Sequence, residues 1–378
     1  MKICVPKETH PSENRVTLIP LNVKKLVDLG AEVFFQSGLG EGLHITDGEY
    51  EKAGGKAIAN RDELFKNADI IARIRRPELE ELEQYPEGCI SVSYLDPFNN
   101  PKTLEKLNQK KITSISMEMI PRTTKAQKMD VLSSQASLAG YVAVTMAAEK
   151  LSKIFPMMMT PAGTISPSRV FIIGAGVAGL QAIATAKRMG ARVEAFDTRP
   201  VVEEQVQSLG AKFVKIDLGD TGQTDGGYAK ELTPEQIELQ RQGMAKHCAQ
   251  SDVVITTAQL FGRPAPLIVT EEMIAGMKPG SIIVDLAVET GGNVAGSKPG
   301  EIVDKNGVLI MGLGNLPGRV ASHASQMYSA NITNLLDEFW DTESKAFNLA
   351  FDDEIISGCV VTHDGQLVNE FIKSVLNK

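Results

Sequence analysis

Arg169-Val-Phe-Ile-Ile-Gly-Ala-Gly-Val-Ala-Gly-Leu180, followed by an Ala-rich run to 189 and by Arg192-Val-Glu-Ala-Phe196-Asp197, decides how this chain folds. Val170 to Ile173 form an unbroken apolar run, the pattern of a parallel strand covered on both faces. The run enters Gly174-x-Gly176-x-x-Gly179, and the residues after it read as a helix. The first glycine allows a tight turn, the second lets backbone approach a pyrophosphate, and the third lets helix pack closely on strand. The helix N-terminus then offers unpaired N–H groups and the positive end of its dipole to phosphate. A second strand, Arg192 to Phe196, ends at Asp197. An acidic residue about 20 positions beyond the glycines accepts hydrogen bonds from the adenosine ribose and repels a 2′-phosphate. A bare GxGxxG would be weak; the whole strand–turn–helix–strand–Asp unit predicts NAD in preference to NADP.

The bulk composition narrows the class. At 378 residues, domains of about 100–200 residues predict two or three of them. Hydrophobic residues at 43% and charged residues at 23% are the balance of a soluble globular chain. A net charge of −8 with acids and bases interspersed argues against a nucleic-acid or anionic-lipid surface. Cys4, Cys89, Cys248 and Cys359 are far apart with no CxxC pair, which predicts free thiols and no metal. Met1-Lys2-Ile3-Cys4-Val5-Pro6 reads directly as a strand, with no secretory segment. The longest apolar stretch, 131–148, carries Ser133, Ser134, Gln135 and Ser137, so the chain is not expected to span a membrane by itself.

Residues 1–118 alternate strand-like and helix-like runs: strands at 3–6, 32–35, 69–74, 89–95 and 112–117, with helical spacing at 23–29, 62–67 and 103–109. The pattern is doubly wound α/β without a glycine fingerprint. From 169 it returns, with strands at 170–173, 192–196, 212–216, 252–257, 281–284 and 308–311. Long helices are predicted at 131–154 and 319–340, and Asp364-Gly365 signals a hairpin in the tail. The expected architecture is α/β, with two Rossmann-like doubly wound domains joined by long helices and a cleft between them. One domain comprises 1–130 and 341–378; the NAD-binding one comprises 131–340 with both bridging helices.

Three segments keep two readings each. Met157-Met158-Met159, in a turn-containing stretch, suit either an adaptable apolar contact or core filling. The Gly- and Asp-rich loop 217–230 either closes Tyr228 over a nucleotide or is a surface loop with an incidental tyrosine. In Pro121-Arg122-Thr-Thr-Lys-Ala-Gln127-Lys-Met-Asp130-Val-Leu-Ser133, Arg122 pairs within the loop or meets a ligand. Gln127 and Asp130 match a nicotinamide carboxamide, or Asp130 caps the following helix with Ser133 three residues on.

Arg122…Gln127…Asp130…Ser133-Ser-Gln135, Leu138-Ala-Gly-Tyr141, Phe155-Pro-Met-Met-Met-Thr160 and Gly174-x-Gly176-Val-Ala-Gly-Leu-Gln-Ala182 resemble the alanine dehydrogenase/transhydrogenase family. Gly226-Gly-Tyr228-Ala-Lys230 and Asp285-Leu-Ala-Val-Glu289-x-Gly-Gly-Asn293 extend the resemblance over essentially the whole chain. It is nearest to the NAD(H)-binding component of proton-translocating transhydrogenases, in a short form without membrane helices. The resemblance implies that Arg122, Gln127, Asp130 and Ser133 surround the nicotinamide end, with Gln127 positioning the ring toward a second nucleotide. It places Gly174, Gly176, Val177, Ala178 and Gly179 at the pyrophosphate and Asp197, Thr198 and Arg199 at the adenosine ribose. Gln259 and Leu260 then line the adenosine side, and Gly227 and Tyr228 form the lid.

Chemistry separates the family's branches. Oxidising an amino acid moves protons as well as hydride, so positioned acid–base groups are required. Dehydrogenases of this family use a His, a Lys and an Asp; this chain has Asp96, Arg75 and Glu289 at those places, while Arg15 matches their substrate-binding arginine. Exchange between two nicotinamides needs only ring positioning and exclusion of water. The expectation is therefore a transhydrogenase component: NAD(H) here, NADP(H) on a partner subunit linked to a membrane domain that moves the proton. The resemblance further implies a homodimer, located in the cytoplasm and peripheral to the inner membrane through its partner. The alternatives are an NAD-dependent alanine or other amino-acid dehydrogenase, and a non-catalytic NAD-binding protein.

Overall fold

Short runs of apolar and small residues become parallel strands because helices cover both of their faces. In the computed structural model, which describes residues 1–219, 221–222 and 232–376, the amino-terminal strands are Lys2–Val5, Glu32–Gln36, Lys56–Ile58, Ile70–Ala72, Ile90–Ser93 and Thr113–Ser116. In space the order runs Lys56–Ile58, Glu32–Gln36, Lys2–Val5, Ile70–Ala72, Ile90–Ser93, Thr113–Ser116. The direction of winding thus reverses beside Lys2–Val5, the doubly wound arrangement. Two antiparallel strands from the far end of the chain, Val360–His363 and Gln366–Leu367, complete the sheet against Thr113–Ser116. Among the covering helices, Pro20–Asp28 and Pro101–Gln109 begin with proline, tolerated where the N–H has no helical partner. Asp47–Lys52 is opened by a capping box between Thr46 and Glu49.

The second sheet repeats the winding: Lys212–Phe213, Arg192–Phe196, Arg169–Ile173, Val253–Thr256, Ile282–Asp285, Val308–Gly312, with Glu301–Lys305 antiparallel on the last edge. Its core holds Phe171, Ile173, Val254, Ile283 and Ile310, packed with Met244 and Cys248 of helix Pro234–Gln250. All cysteines are buried and unpaired. Helix Val131–Lys150 is long and apolar enough to be weighed as a membrane span, with a mean hydropathy of 1.3. Its Val142, Ala143, Val144 and Ala147 are buried, and a Cβ on Gly140 would lie 2.2 Å from the Ala178 carbonyl oxygen. Such backbone-to-backbone contact is that of a core helix.

The chain divides into two compact units, Met1–Gln135 with Gly318–Lys378, and Ala136–Pro317. This corrects the expected boundaries at 130 and 341, since helix Ala321–Glu338 goes with the first unit rather than the second. Polar side chains decide the matter. Ser325 Oγ accepts the Val16 N–H at 2.9 Å, Ser329 Oγ accepts the Ile19 N–H at 3.0 Å, and the Tyr328 hydroxyl donates to the Arg73 carbonyl at 2.8 Å. Asn331 Nδ2 donates to the Lys128 carbonyl at 3.0 Å.

Other departures are local. Helix Val131–Lys150 stops short of 154, and the 212–216 run pairs only at Lys212–Phe213. Met158–Thr160 and Gly163–Ile165 form a hairpin, and Met157, Met158 and Met159 are exposed, which removes the core-filling reading.

Ser325→Ala leaves the buried Val16 N–H without its acceptor and should cost about 1–3 kcal/mol, read from the shift in urea unfolding. A loss below about 0.5 kcal/mol would show that helix Ala321–Glu338 is anchored by other contacts.

Candidate functional site

Arg169–Ile173 ends in the glycine turn, and the three glycines have separate reasons to be there. Gly174 has φ +97, and a Cβ on it would come within 2.5 Å of Thr257 Oγ1. Gly179 lies against the strand end: its Cβ would sit 1.9 Å from the Gly174 carbonyl oxygen. Both are required by the protein's own packing. Gly176 differs, because the nearest atom a Cβ would meet there is Arg199 Nη2, at 4.0 Å. That space is left open by the protein, in front of helix Val177–Arg188, for which Gly176 is the N-cap without a side-chain hydrogen bond. Free amide groups, the positive end of the dipole and an unfilled cradle together fit a pyrophosphate. Val177 is 38% exposed beside it, and Ala178 is half-buried.

Asp197 follows Arg192–Phe196 and is buried. Its Oδ2 accepts the Ala175 N–H at 2.7 Å, tying strand end to glycine turn. Arg199 takes the remainder: its N–H and Nε bond Oδ1 at 2.8 and 2.9 Å, and Nη2 bonds Oδ2 at 2.7 Å. Thr198 is held through its carbonyl, which accepts the Thr221 hydroxyl at 2.7 Å.

Beyond Val253–Thr256, Thr257 Oγ1 donates to the Gly174 carbonyl at 3.1 Å. Gln259 is exposed and bonds the Leu286 carbonyl at 3.3 Å; Leu260 forms an isolated bridge with Arg263. This loop is braced from below. The fully buried Asn293 donates to the Ala258 and Pro266 carbonyls, each at 2.9 Å, and its Oδ1 accepts the Ala258 N–H at 3.1 Å. The buried Asp285 in turn accepts the Asn293 N–H at 3.1 Å. Thr257, Asp285 and Asn293 were not singled out as site residues from sequence, although Asp285…Gly291-Gly292-Asn293 was the available signal. Gly227 and Tyr228 lie outside the described residues.

In the first unit, Arg122 is exposed, Gln127 is exposed on the 3-10 turn Gln127–Met129, and Asp130 follows directly. Asp130 Oδ1 accepts the Ser133 N–H at 2.8 Å and Oδ2 accepts the Ser133 hydroxyl at 2.6 Å. The capping arrangement is thus present, and it fixes Asp130 and Ser133 to each other at the start of helix Val131–Lys150.

The positions at which acid–base chemistry would be sought are otherwise engaged. Asp96 has φ +47, and its carboxylate accepts from Asn99 Nδ2 at 2.8 Å and Asn100 Nδ2 at 3.0 Å, within its own turn. Arg15 forks onto Glu13 with two bonds of 2.7 Å and gives Nη1 to Gln135 at 2.9 Å. Arg75 Nε joins the same Glu13 at 3.0 Å. Burial alone would raise the Glu13 carboxyl, yet the hydrogen bonds and charge of Arg15, with Arg75, hold it below the usual range. Glu289 Oε2 accepts the Asn315 N–H at 3.2 Å in the second unit. Among the described residues no group of His, Cys, Asp and Glu is arranged to hold a metal.

Comparison with known proteins agrees with this geometry. The family described as alanine dehydrogenase/PNT matches with its N-terminal domain over residues 4–139 and its C-terminal domain over 143–370. The chain is 46% identical to the first of the polypeptides that make up NAD(P) transhydrogenase subunit alpha in Rhodospirillum rubrum, over 98% of each. It is 30% identical to alanine dehydrogenase of Halomonas elongata, over 97% of this chain and 94% of that one. Among solved structures, a transhydrogenase from Sinorhizobium meliloti superposes with a TM-score of 0.87 at 43% identity, covering 97% of this chain and 100% of that one.

Alanine at the two inner glycines should have opposite effects. Gly176→Ala should fold with stability within about 0.5 kcal/mol of the parent but lose dinucleotide binding. Gly179→Ala should be destabilised by at least about 1–3 kcal/mol, because the new methyl overlaps the Gly174 carbonyl. Thermal melts and NADH titration of both variants check this; unchanged NADH binding by Gly176→Ala would remove the phosphate from that cradle.

Proposed function

This chain belongs to the alanine dehydrogenase/PNT family, and from that premise we propose that it is the NAD(H)-binding component of a proton-translocating transhydrogenase. The observation that carries the reading is the contrast between two places. The cradle at Gly176 is open for a pyrophosphate, whereas Asp96, Arg75 and Arg15 are committed to partners within the protein. A chain so built can hold and orient a nicotinamide but has no poised proton carrier at those positions. Greater identity to a transhydrogenase subunit than to an alanine dehydrogenase supports the same branch.

In this reading Gly174, Gly176, Val177, Ala178 and Gly179 receive the pyrophosphate, Asp197 with Thr198 and Arg199 the adenosine ribose, and Gln259 and Leu260 the adenosine side. Arg122, Gln127, Asp130 and Ser133 orient the nicotinamide end, and Gly227 and Tyr228 close over the nucleotide and exclude water. Bound there, NADH supplies hydride directly from C4 of its ring to C4 of NADP⁺ held by a partner subunit, and the reverse. The chain's task is positional: near-attack separation of about 3–3.5 Å is set by how firmly each ring is held. Two copies of the chain act with a membrane-linked NADP(H)-binding subunit, which couples the exchange to proton movement. Attachment to the cytoplasmic membrane comes through that partner.

The chain alone, given NAD and L-alanine, should form no appreciable keto acid; sustained NADH production from alanine would transfer the proposal to the dehydrogenase branch. Gln127→Asn should slow NADH-to-NADP transfer in the reconstituted complex by a factor of at least about 10 while changing NADH affinity far less. Equal losses in rate and affinity would assign Gln127 to binding alone. A chain that binds NADH yet supports no exchange with any NADP(H)-binding partner would be a binding protein and not an enzyme component.

A further inference from the structure

We infer that Arg199 is a second determinant of which dinucleotide the Ala136–Pro317 unit accepts: it occupies the ribose-facing oxygens of Asp197 and would receive a ribose 2′-phosphate once Asp197 lost its charge. The inference rests on the proposal that this unit holds NAD(H).

A carboxylate offers about four acceptor positions. Those of Asp197 are taken by the Ala175 N–H, the Arg199 N–H, Arg199 Nε and Arg199 Nη2, at 2.7 to 2.9 Å. Both side chains are largely withdrawn from solvent, at 6% exposure for Asp197 and 13% for Arg199. A ribose diol approaching Asp197 therefore finds no vacant acceptor. The two parallel N–H donors of the guanidinium sit where two parallel hydroxyls would donate, so the side chain must turn aside for NAD to bind. It remains tethered two residues away. Arg199 Nη2 already stands 4.0 Å from the position of a Cβ on Gly176, at the rim of the phosphate cradle. A 2′-phosphate replacing a hydroxyl would thus meet two groups of opposite sign at hydrogen-bonding range.

The ionised Asp197 repels the phosphate and also holds the cation that could bind it. Neutralising Asp197 removes both effects at once. Its amide counterpart can still accept the Ala175 N–H, which keeps the glycine turn in place. Arg199 is then a poorly solvated cation without its anion, a state that a forked phosphate contact relieves. Preference for NAD over NADP here is set by the charge of the pair and not by Asp197 alone. Changing preference in this chain needs no new basic residue, since one is already in position.

Four forms test this: the unaltered chain, Asp197→Asn, Arg199→Ala and the double variant, each titrated with NADH and NADPH by calorimetry. Asp197→Asn should tighten NADPH binding by about tenfold or more over the unaltered chain, with the gain shrinking as salt rises. The double variant should lose that gain, and Arg199→Ala alone should show none. Asp197→Ser is run in parallel and must follow the same pattern should the Asn variant not fold. A folded Asp197 variant without any NADPH gain, or a gain that survives loss of Arg199, overturns the inference. An unaltered chain that fails to bind NADH overturns instead the NAD(H) reading on which it rests.

Discussion

Two stretches of backbone meet where Gly179 lies against the carbonyl of Gly174, and no side chain fits between them. A Cβ on Gly179 would be 1.9 Å from that oxygen. This approach sets where helix Val177–Arg188 begins, aims its free N–H groups past Gly176 and leaves the cradle there unfilled. Asp197 pins the same turn through the Ala175 N–H, and Thr257 pins it from the next strand. Asp285 and Asn293 extend the bracing to the loop after Val253–Thr256. Loosening any of these contacts would disturb the geometry offered to the phosphates before touching a ligand.

The first unit has the same winding but was put to another use. Its strand ends carry no glycine turn, and the residues beyond them form a network of buried charge. Glu13 is shared by Arg15 and Arg75, while Arg73 is bonded to Glu8, Glu81 and the Tyr85 hydroxyl. Removing one member of such a network strands a charge, so the arrangement favours a fixed frame over groups that change protonation during a reaction. A frame is what positional catalysis asks of a protein.

Much of the fold was legible because buried parallel strands are continuous apolar runs, as at Val170–Ile173 and Val253–Ile255. The exposed edge strands Lys56–Ile58 and Glu301–Lys305 lack that signal and were not read. Helix Pro234–Gln250 escaped for a related reason: only Gln240, Met244 and Cys248 are buried along it, too thin a stripe to stand out. The domain boundary was misplaced because apolar spacing in helix Ala321–Glu338 marks it as packed without saying against what. Its serines and Asn331 decide that, through bonds to backbone distant in sequence. At the site, the three glycines and Asp197 could be picked out, but their division of labour could not. The saturation of Asp197 by Arg199 is a matter of side-chain direction, and so is the capture of Asp130 by Ser133.

The central claim is that one redox ring is held here and the other by a neighbour, with hydride passing between them directly. Deuterium placed at the transferred C4 position of NADH follows it most directly, in a mixture of this chain, an NADP(H)-binding partner subunit and NADP⁺. The account predicts that the label arrives at C4 of NADPH with no loss to water and that neither protein alone moves it. Label appearing in solvent, or in a carbonyl substrate supplied in place of the partner, would contradict it.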